Sequence, residues 1–295
     1  MKRYQQVAVL MGGPSAEREV SLRSGAAVAE ALRGAGYTVA AVDVTAHALD
    51  IPAGTQAVFI ALHGTYGEDG GVQAELTRRG LPYTGSPAEA SRIAFDKELT
   101  KRVALAHGVP TAEFEVLGPG AARTLPLPVV VKPACQGSSI GVHRVEQDAD
   151  WAAALADALR FDTRAIVERF IPGRELTIGV LDELVLPAVE IVAPDGWYDY
   201  GAKYTRGACR YLVPAPLEPA TLEACRRHAR TTYDALGCRG MARVDFRLQP
   251  DGALFLLEVN TIPGFTETSL LPKAAAEAGI PFATLCERIL NRAGV

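Results

Sequence analysis

The chain has 295 residues, 48% of them hydrophobic, enough for two domains or three small ones that share cores. A formal net charge of -4 gives no basic field for a nucleic-acid partner, and no stretch approaches the ~20 apolar residues of a membrane span. Five cysteines, odd in number and without CxxC spacing, argue against a disulfide framework or a zinc site and fit a reducing cytoplasm.

From the N-terminus, Val7–Met11 is a short apolar run, too short for a signal peptide. The turn Gly12-Gly13-Pro14-Ser15 follows, then helical spacing over Glu19–Leu32. Tyr37–Val44 and Ala57–Leu62 read as further strands, and this rhythm predicts an open parallel sheet with ligands at its strand ends. Beyond Gly85-Ser86-Pro87 the pattern changes. Glu89–His107 reads as one helix, and Val129–Lys132 as a buried strand entering a Gly/Ser loop. The helix Asp148–Arg160 and the strand Ala165–Phe170 come next. From about Leu176 the chain carries antiparallel strands, an irregular stretch at 194–214, a helix at 219–236, a hairpin and a last helix. The reading is α/β with three lobes, at 1–86, 87–175 and 176–295.

The most informative segment is Met241–Gly264. Pro250-Asp251-Gly252 is a turn signal between two alternating runs, which makes a hairpin. With the turn centred between Asp251 and Gly252, Asp245 faces Glu258 and Arg243 faces Asn260. Side chains alternate along a strand, so these four share one face. The other face collects Val244, Phe246, Leu248, Phe255, Leu257 and Val259 as core. Two carboxylates and an amide oxygen suit a hard divalent cation such as Mg²⁺, and Arg243 suits a transferring phosphoryl group. A solvated sheet face with cross-strand ion pairs is the plainer alternative, but four convergent polar groups over six apolar ones favour the metal.

Lys132 ends a buried strand just before Ser138 and Ser139, whose loop can wrap phosphate oxygens with its N–H groups. A plain hairpin turn reads equally well there. No GxxxxGK[ST] and no GxGxxG is present, which removes a P-loop and the fingerprint of a dinucleotide oxidoreductase. Glu168 and Glu175, flanking Phe170 and Ile171, could edge an apolar slot for adenine and ribose, or be surface residues. Cys135 beside the loop reads as a small buried filler or as a reactive thiol.

Together these stretches resemble the D-alanine–D-alanine ligases of the ATP-grasp superfamily. The resemblance rests on GGPSAEREVSLRSG (12–25), ALHGTYGEDG (61–70), LPYTGS (81–86), DK (96–97), VVVKPACQGSSIGV (129–142), VERFIPGRELT (167–177), WYDYGAKY (197–204), ARVDF (242–246) and LLEVNTIPGFTETSLLP (256–272). It implies a three-lobed ATP-grasp architecture, with an N-terminal open parallel sheet and two α+β lobes that clamp ATP. It further implies Lys97 and Lys132 on ATP phosphates, Glu168 and Glu175 around adenosine, and Asp245, Glu258 and Asn260 on two Mg²⁺ or Mn²⁺ ions. Glu17 would hold the first D-alanine's ammonium through a network with Tyr204 and Ser138, with His63 close by. Arg243 and the Gly264 N–H would stabilise the oxyanion, and Ser269 and Leu270 would line the second D-alanine's pocket. A lid within 194–214 carries the pair Lys203 and Tyr204, which in the family goes with amine nucleophiles. Cys135-Gln136 replaces the family's usual Arg-Glu, and Gly201 a residue that is often acidic or long. The resemblance implies a cytoplasmic homodimer making D-alanyl-D-alanine for peptidoglycan precursors, with D-alanyl-D-serine or D-alanyl-D-lactate as the rival product. A non-catalytic ATP-binding sensor is the alternative of another class.

Overall fold

The structure is a computed structural model that describes residues 2–194 and 209–295. Three sheets are set by three patterns in the sequence. The first holds β1 (Gln6–Gly12), β2 (Thr38–Val44) and β3 (Ala57–Ile60) in the order β2-β1-β3, all parallel. Val7 to Leu10 and all of β3 are buried, as befits strands covered on both faces. Helix α1 (Arg18–Gly34) follows β1 and packs its Val28, Ala29 and Leu32 side onto that sheet, and the short α2 (Gly71–Arg78) follows β3.

The expected helix Glu89–His107 is two helices, α3 (Ala88–Phe95) and α4 (Lys97–Ala106). Asp96 between them is extended (φ -86, ψ 109), and its carboxylate accepts the Leu99 N–H at 3.1 Å. An N-cap in mid-pattern restarts the helix and aims Lys97 in a new direction.

The second sheet is antiparallel, with β4 (Phe114–Leu117), β5 (Val129–Pro133), β6 (His143–Val145) and β7 (Ala165–Arg169) in the order β4-β7-β5-β6. Helix α5 (Asp148–Ala158) covers it through Ala154, Leu155 and Ala158. The third sheet holds β8 (Arg174–Leu181), β9 (Leu184–Val185), β10 (Val189–Val192), β11 (Arg210–Leu212), β12 (Met241–Leu248) and β13 (Leu254–Asn260). Its order is β11-β10-β8-β12-β13, with β9 on β8, and α6 (Pro219–Ala235) buries Cys225, Ala229 and Tyr233 against it.

The expected single last helix is also divided, into α7 (Leu270–Glu277) and α8 (Phe282–Asn291). Gly279 (φ +75) and Pro281 separate them. Both return to the first sheet, where Leu271, Leu285, Ile289 and Leu290 share one core with Val9, Phe59 and Ile60. Phe265 meets Phe59 at 5.7 Å between ring centroids. The strand ends of the first sheet are thus brought against the end of the β12–β13 hairpin. Among the described residues no helix is long and apolar enough to cross a membrane.

Candidate active site

The hairpin pairs Arg243 with Asn260 and Asp245 with Glu258, as its alternation and turn predict. Beyond Asp245 the register shifts by one, so that Phe246 faces Leu256 and Leu248 faces Leu254. This β-bulge corrects the expected apolar face. Leu254 and Leu256 enter the core with Val244, Phe246, Leu248 and Val259, while Phe255 and Leu257 are only half-buried. An extra residue on β13 flips the face of everything toward the turn and leaves the polar half intact.

On the polar half, the Arg243 guanidinium grips Asp245, Nε at 2.9 Å from Oδ1 and Nη2 at 2.7 Å from Oδ2. The Thr177 hydroxyl, from the neighbouring β8, also donates to Asp245 Oδ1. Asp245 is buried and Asn260 Oδ1 is a buried oxygen with no hydrogen-bond partner among the described residues. A buried acceptor left without a donor costs ~1–3 kcal/mol unless something satisfies it. Asp245, Glu258 and Asn260 would offer a divalent cation the hard oxygen ligands it prefers, and such an ion would satisfy that oxygen. The residues present therefore fit Mg²⁺. Among the described residues no group of three or more His, Cys, Asp or Glu offers a competing metal site.

Two lysines approach from other elements. Lys97, at the first position of α4, donates to the Gln136 carbonyl at 2.6 Å and lies 3.5 Å from Glu258 Oε2. Lys132, near the end of β5, pairs with Glu168 on β7. The Gly/Ser loop between them places Ser138 and Ser139 at φ 55 and φ 58. Where a loop enters and leaves the left-handed region, successive backbone N–H groups can form a concavity that suits a phosphate. Ile171 is buried, Phe170 lies under the Arg144 guanidinium at 4.1 Å, and Glu175 pairs with Arg247 at 3.3 Å. Arg247 also donates to the Ile171 carbonyl at 3.1 Å.

The Glu17 carboxylate, just before α1, accepts the Ser138 hydroxyl, joining the first lobe to the Gly/Ser loop. Its Oε2 is buried without a hydrogen-bond partner among the described residues. A Cβ added at Gly64 would come within 2.9 Å of that oxygen, and one at Gly137 within 2.7 Å. The two glycines leave just enough room for the carboxylate to pass.

His63 is buried and bridges two lobes, its Nδ1 3.0 Å from the Ile262 carbonyl and its Nε2 3.0 Å from Ser24 Oγ. Ser24 Oγ also accepts the Phe265 N–H. Those contacts assign the proton to Nδ1 and make Ser24 the donor to Nε2. Glu68 lies 3.5 Å from His63 Nδ1, and burial pushes its carboxyl up to about 7, against the lowering effect of the hydrogen bond from His63. Ser269 stands before α7, and its hydroxyl accepts the Thr266 N–H at 3.1 Å instead of capping the helix. In the first turn of α7, starting at Leu270, Pro272 has no N–H and the Lys273 N–H donates to the Ser269 carbonyl at 3.0 Å.

A cavity of about 680 Å³ brings together Glu17, His63, Glu68, Lys97, Ser138, Arg243, Glu258, Asn260, Gly264, Ser269 and Leu270. Lys132, Ser139, Glu168, Phe170, Ile171, Glu175 and Asp245 are not part of its lining. Lys203 and Tyr204, with the rest of the expected lid up to residue 208, lie outside the described residues.

A family model described as the D-ala D-ala ligase C-terminus matches residues 108–291. The chain is 48% identical over 299 residues to a D-alanine–D-alanine ligase of Syntrophotalea carbinolica, covering 99% of this chain and 97% of that one. It is 45% identical over 287 residues to one from Methylacidiphilum infernorum, covering 97% and 95%. The chain belongs to the D-alanine–D-alanine ligase family. Among solved structures it resembles the D-alanine–D-alanine ligase of Bacillus anthracis complexed with ATP (TM-score 0.85, 29% identity, 98% and 97% covered). The VanG D-Ala:D-Ser ligase of Enterococcus faecalis gives the same TM-score at 27% identity, with 97% and 98% covered. The fold is accordingly that of the ATP-grasp ligases.

Two buried residues of this ligase escape the reading from sequence. Glu68 falls within a quoted motif, but nothing in its spacing marks it as buried. Lys101, on α4, has no exposed surface and sits 2.9 Å from Glu168. A lysine in a helix four residues after another reads as a solvated face, and only the tertiary packing reveals otherwise.

Proposed function

We propose that this protein joins two D-alanines with hydrolysis of ATP to ADP, through an acyl phosphate, supplying a peptidoglycan precursor. The observation that carries the reading is the single cavity where phosphate-loop, hairpin and α7 residues converge. The Glu17 carboxylate is suited to hold the first substrate's ammonium, with Ser138 fixing its direction. That substrate's carboxylate then attacks the γ-phosphorus of ATP, because an unactivated carboxylate would have to expel oxide. The second D-alanine's amine attacks the acyl carbonyl and phosphate leaves.

Phosphoryl transfer is chiefly positioning and charge neutralisation. Lys97, Lys132 and the Ser138–Ser139 loop are suited to the phosphates, and Glu168, Phe170, Ile171 and Glu175 to the adenosine. Asp245, Glu258 and Asn260 would hold two Mg²⁺ or Mn²⁺ ions, which when bound neutralise phosphate charge. Arg243 and the Gly264 N–H face the developing oxyanion, and Ser269 with the Leu270 N–H receives the second substrate's carboxylate. Keeping water from the acyl phosphate is the role that the family resemblance implies for Lys203 and Tyr204, which lie outside the described residues. The family resemblance supports a cytoplasmic homodimer.

Relatives at 45–48% identity carry the D-alanine–D-alanine name, against 27% for the D-Ala:D-Ser ligase, which favours D-alanine as the second substrate. The test offers D-alanine, D-serine and D-lactate together with MgATP at pH 7.5. Mass spectrometry should find D-alanyl-D-alanine as the dominant product, and a predominance of either mixed product would overturn the assignment.

A further inference from the structure

The buried cation beside the nucleotide elements has no role in the reading above. Lys101 is fully buried and contacts Glu168 Oε2 at 2.9 Å, while Lys132 contacts the other oxygen, Oε1, of the same carboxylate. The remaining donors of Lys101 are directed to Thr111 Oγ1 and toward the ring of Phe114, 5.5 Å away. Thr111 in turn donates to the Leu256 carbonyl of β13 at 2.8 Å, which anchors the arrangement to the metal hairpin.

Burial lowers the pKa of Lys101 and the Glu168 carboxylate opposes that fall; with both lysines protonated, two ammoniums and one carboxylate make a buried group of net charge +1. We infer that Lys101 is a positioning residue for the nucleotide: by sharing the charge of Glu168 it leaves Lys132 able to present a full positive charge to a polyphosphate. Without Lys101 the Glu168–Lys132 pair would be neutral, and its attraction for phosphate would fall to that of a dipole. Taking one member out of a buried ionic group also costs stability, so the folding of each variant is checked alongside binding. The other nearby lysine, Lys97, is held instead by the Gln136 carbonyl and Glu258.

The inference rests on the assignment of Lys132 to the ATP phosphates, so the experiment separates the two. Mg²⁺-ADP binding is measured by equilibrium dialysis in the wild type, K101M and K101M/E168Q, with inorganic tripolyphosphate as competitor. Tripolyphosphate has no adenosine, so loss of a Glu168 contact to the base or ribose does not affect it. K101M should bind tripolyphosphate roughly tenfold more weakly, the loss of one poorly screened charge. K101M/E168Q, again at net +1, should return to within about threefold of wild type. If tripolyphosphate competes in the wild type but K101M is unchanged, or the double variant stays as weak as K101M, the charge argument fails alone. If tripolyphosphate does not compete in the wild type, the phosphate assignment falls and takes this inference with it. Should K101M not fold, the double variant decides: wild-type affinity supports the inference, and a tenfold loss in a folded double variant overturns it.

Discussion

Glu17 and Ser138 lie 121 positions apart and share a hydrogen bond that fastens the Gly/Ser loop to the first lobe. The same carboxylate is squeezed between Gly64 and Gly137, so its position depends on three segments at once. Removing its charge with Glu17→Gln should raise KM for D-alanine roughly 10- to 100-fold, the weight of a charge-assisted hydrogen bond. Gly137→Ala should act in the same direction, because the new methyl would lie 2.7 Å from Oε2 and the carboxylate must move. Steady-state kinetics with each substrate varied checks both. A larger effect on KM for ATP than on KM for D-alanine would contradict the assignment of Glu17.

The hairpin makes a second prediction. Glu258 lies opposite Asp245, and Asn260 carries the unsatisfied oxygen. Glu258→Gln keeps the shape but removes charge from the proposed cation site, so turnover should fall roughly a thousandfold or more with the fold unchanged. Near-normal turnover at saturating Mg²⁺, with an unchanged circular dichroism spectrum, would remove the hairpin from the reaction.

A third concerns Glu68 and pH. Its carboxyl rises from 4.5 to about 7, mainly through burial, so the folded state holds the proton more tightly than the unfolded one. The sign follows: stability associated with Glu68 is greatest below pH 4.5 and declines as pH rises to about 7, because the unfolded carboxyl ionises first. The decline is on the order of 3 kcal/mol. Glu68→Gln cannot ionise, so its melting temperature relative to wild type should climb between pH 5 and pH 8. A constant difference across that range, by calorimetry, would show that Glu68 is not the group titrating.

Cys135 gives a fourth. Burial first, then the negative charges of Asp96 and Asp162, push its thiol up to about 12, outweighing the nearby Arg164. Cys135 is half-buried, so it is not the fully buried filler expected, but its raised pKa argues against the reactive reading. At pH 7.5 its alkylation by iodoacetamide should be roughly a thousandfold slower than that of an ordinary exposed thiol. Rapid labelling, followed by peptide mass spectrometry with and without MgATP, would refute this.

Much of the site was legible because strands repeat every second residue. That periodicity alone put Arg243, Asp245, Glu258 and Asn260 on one face, and the structure pairs them so. It could not reveal the bulge after Asp245, since Leu254 and Leu256 are as apolar as Phe255 and Leu257. The break at Asp96 did carry a signal, an aspartate that can cap the helix after it, but continuous helical spacing on both sides hid it. Lys101 and Glu68 were illegible for another reason. Whether a charged residue is buried depends on elements remote in sequence, such as Glu168 for Lys101 and Glu17 for Glu68.

The return of α7 and α8 to the first sheet bears on how the protein is made. Val9, Phe59 and Ile60 share a core with Phe265, Leu285 and Ile289, and Tyr83 pairs by backbone with Gly294. During synthesis the opening third of the chain emerges long before the helices that cover it. It must wait, with one flank of its sheet bare, until α7 and α8 leave the ribosome. Lobe-by-lobe folding in order of synthesis is therefore denied to this chain, and a product cut short before Leu270 would carry that flank as a sticky, aggregation-prone surface.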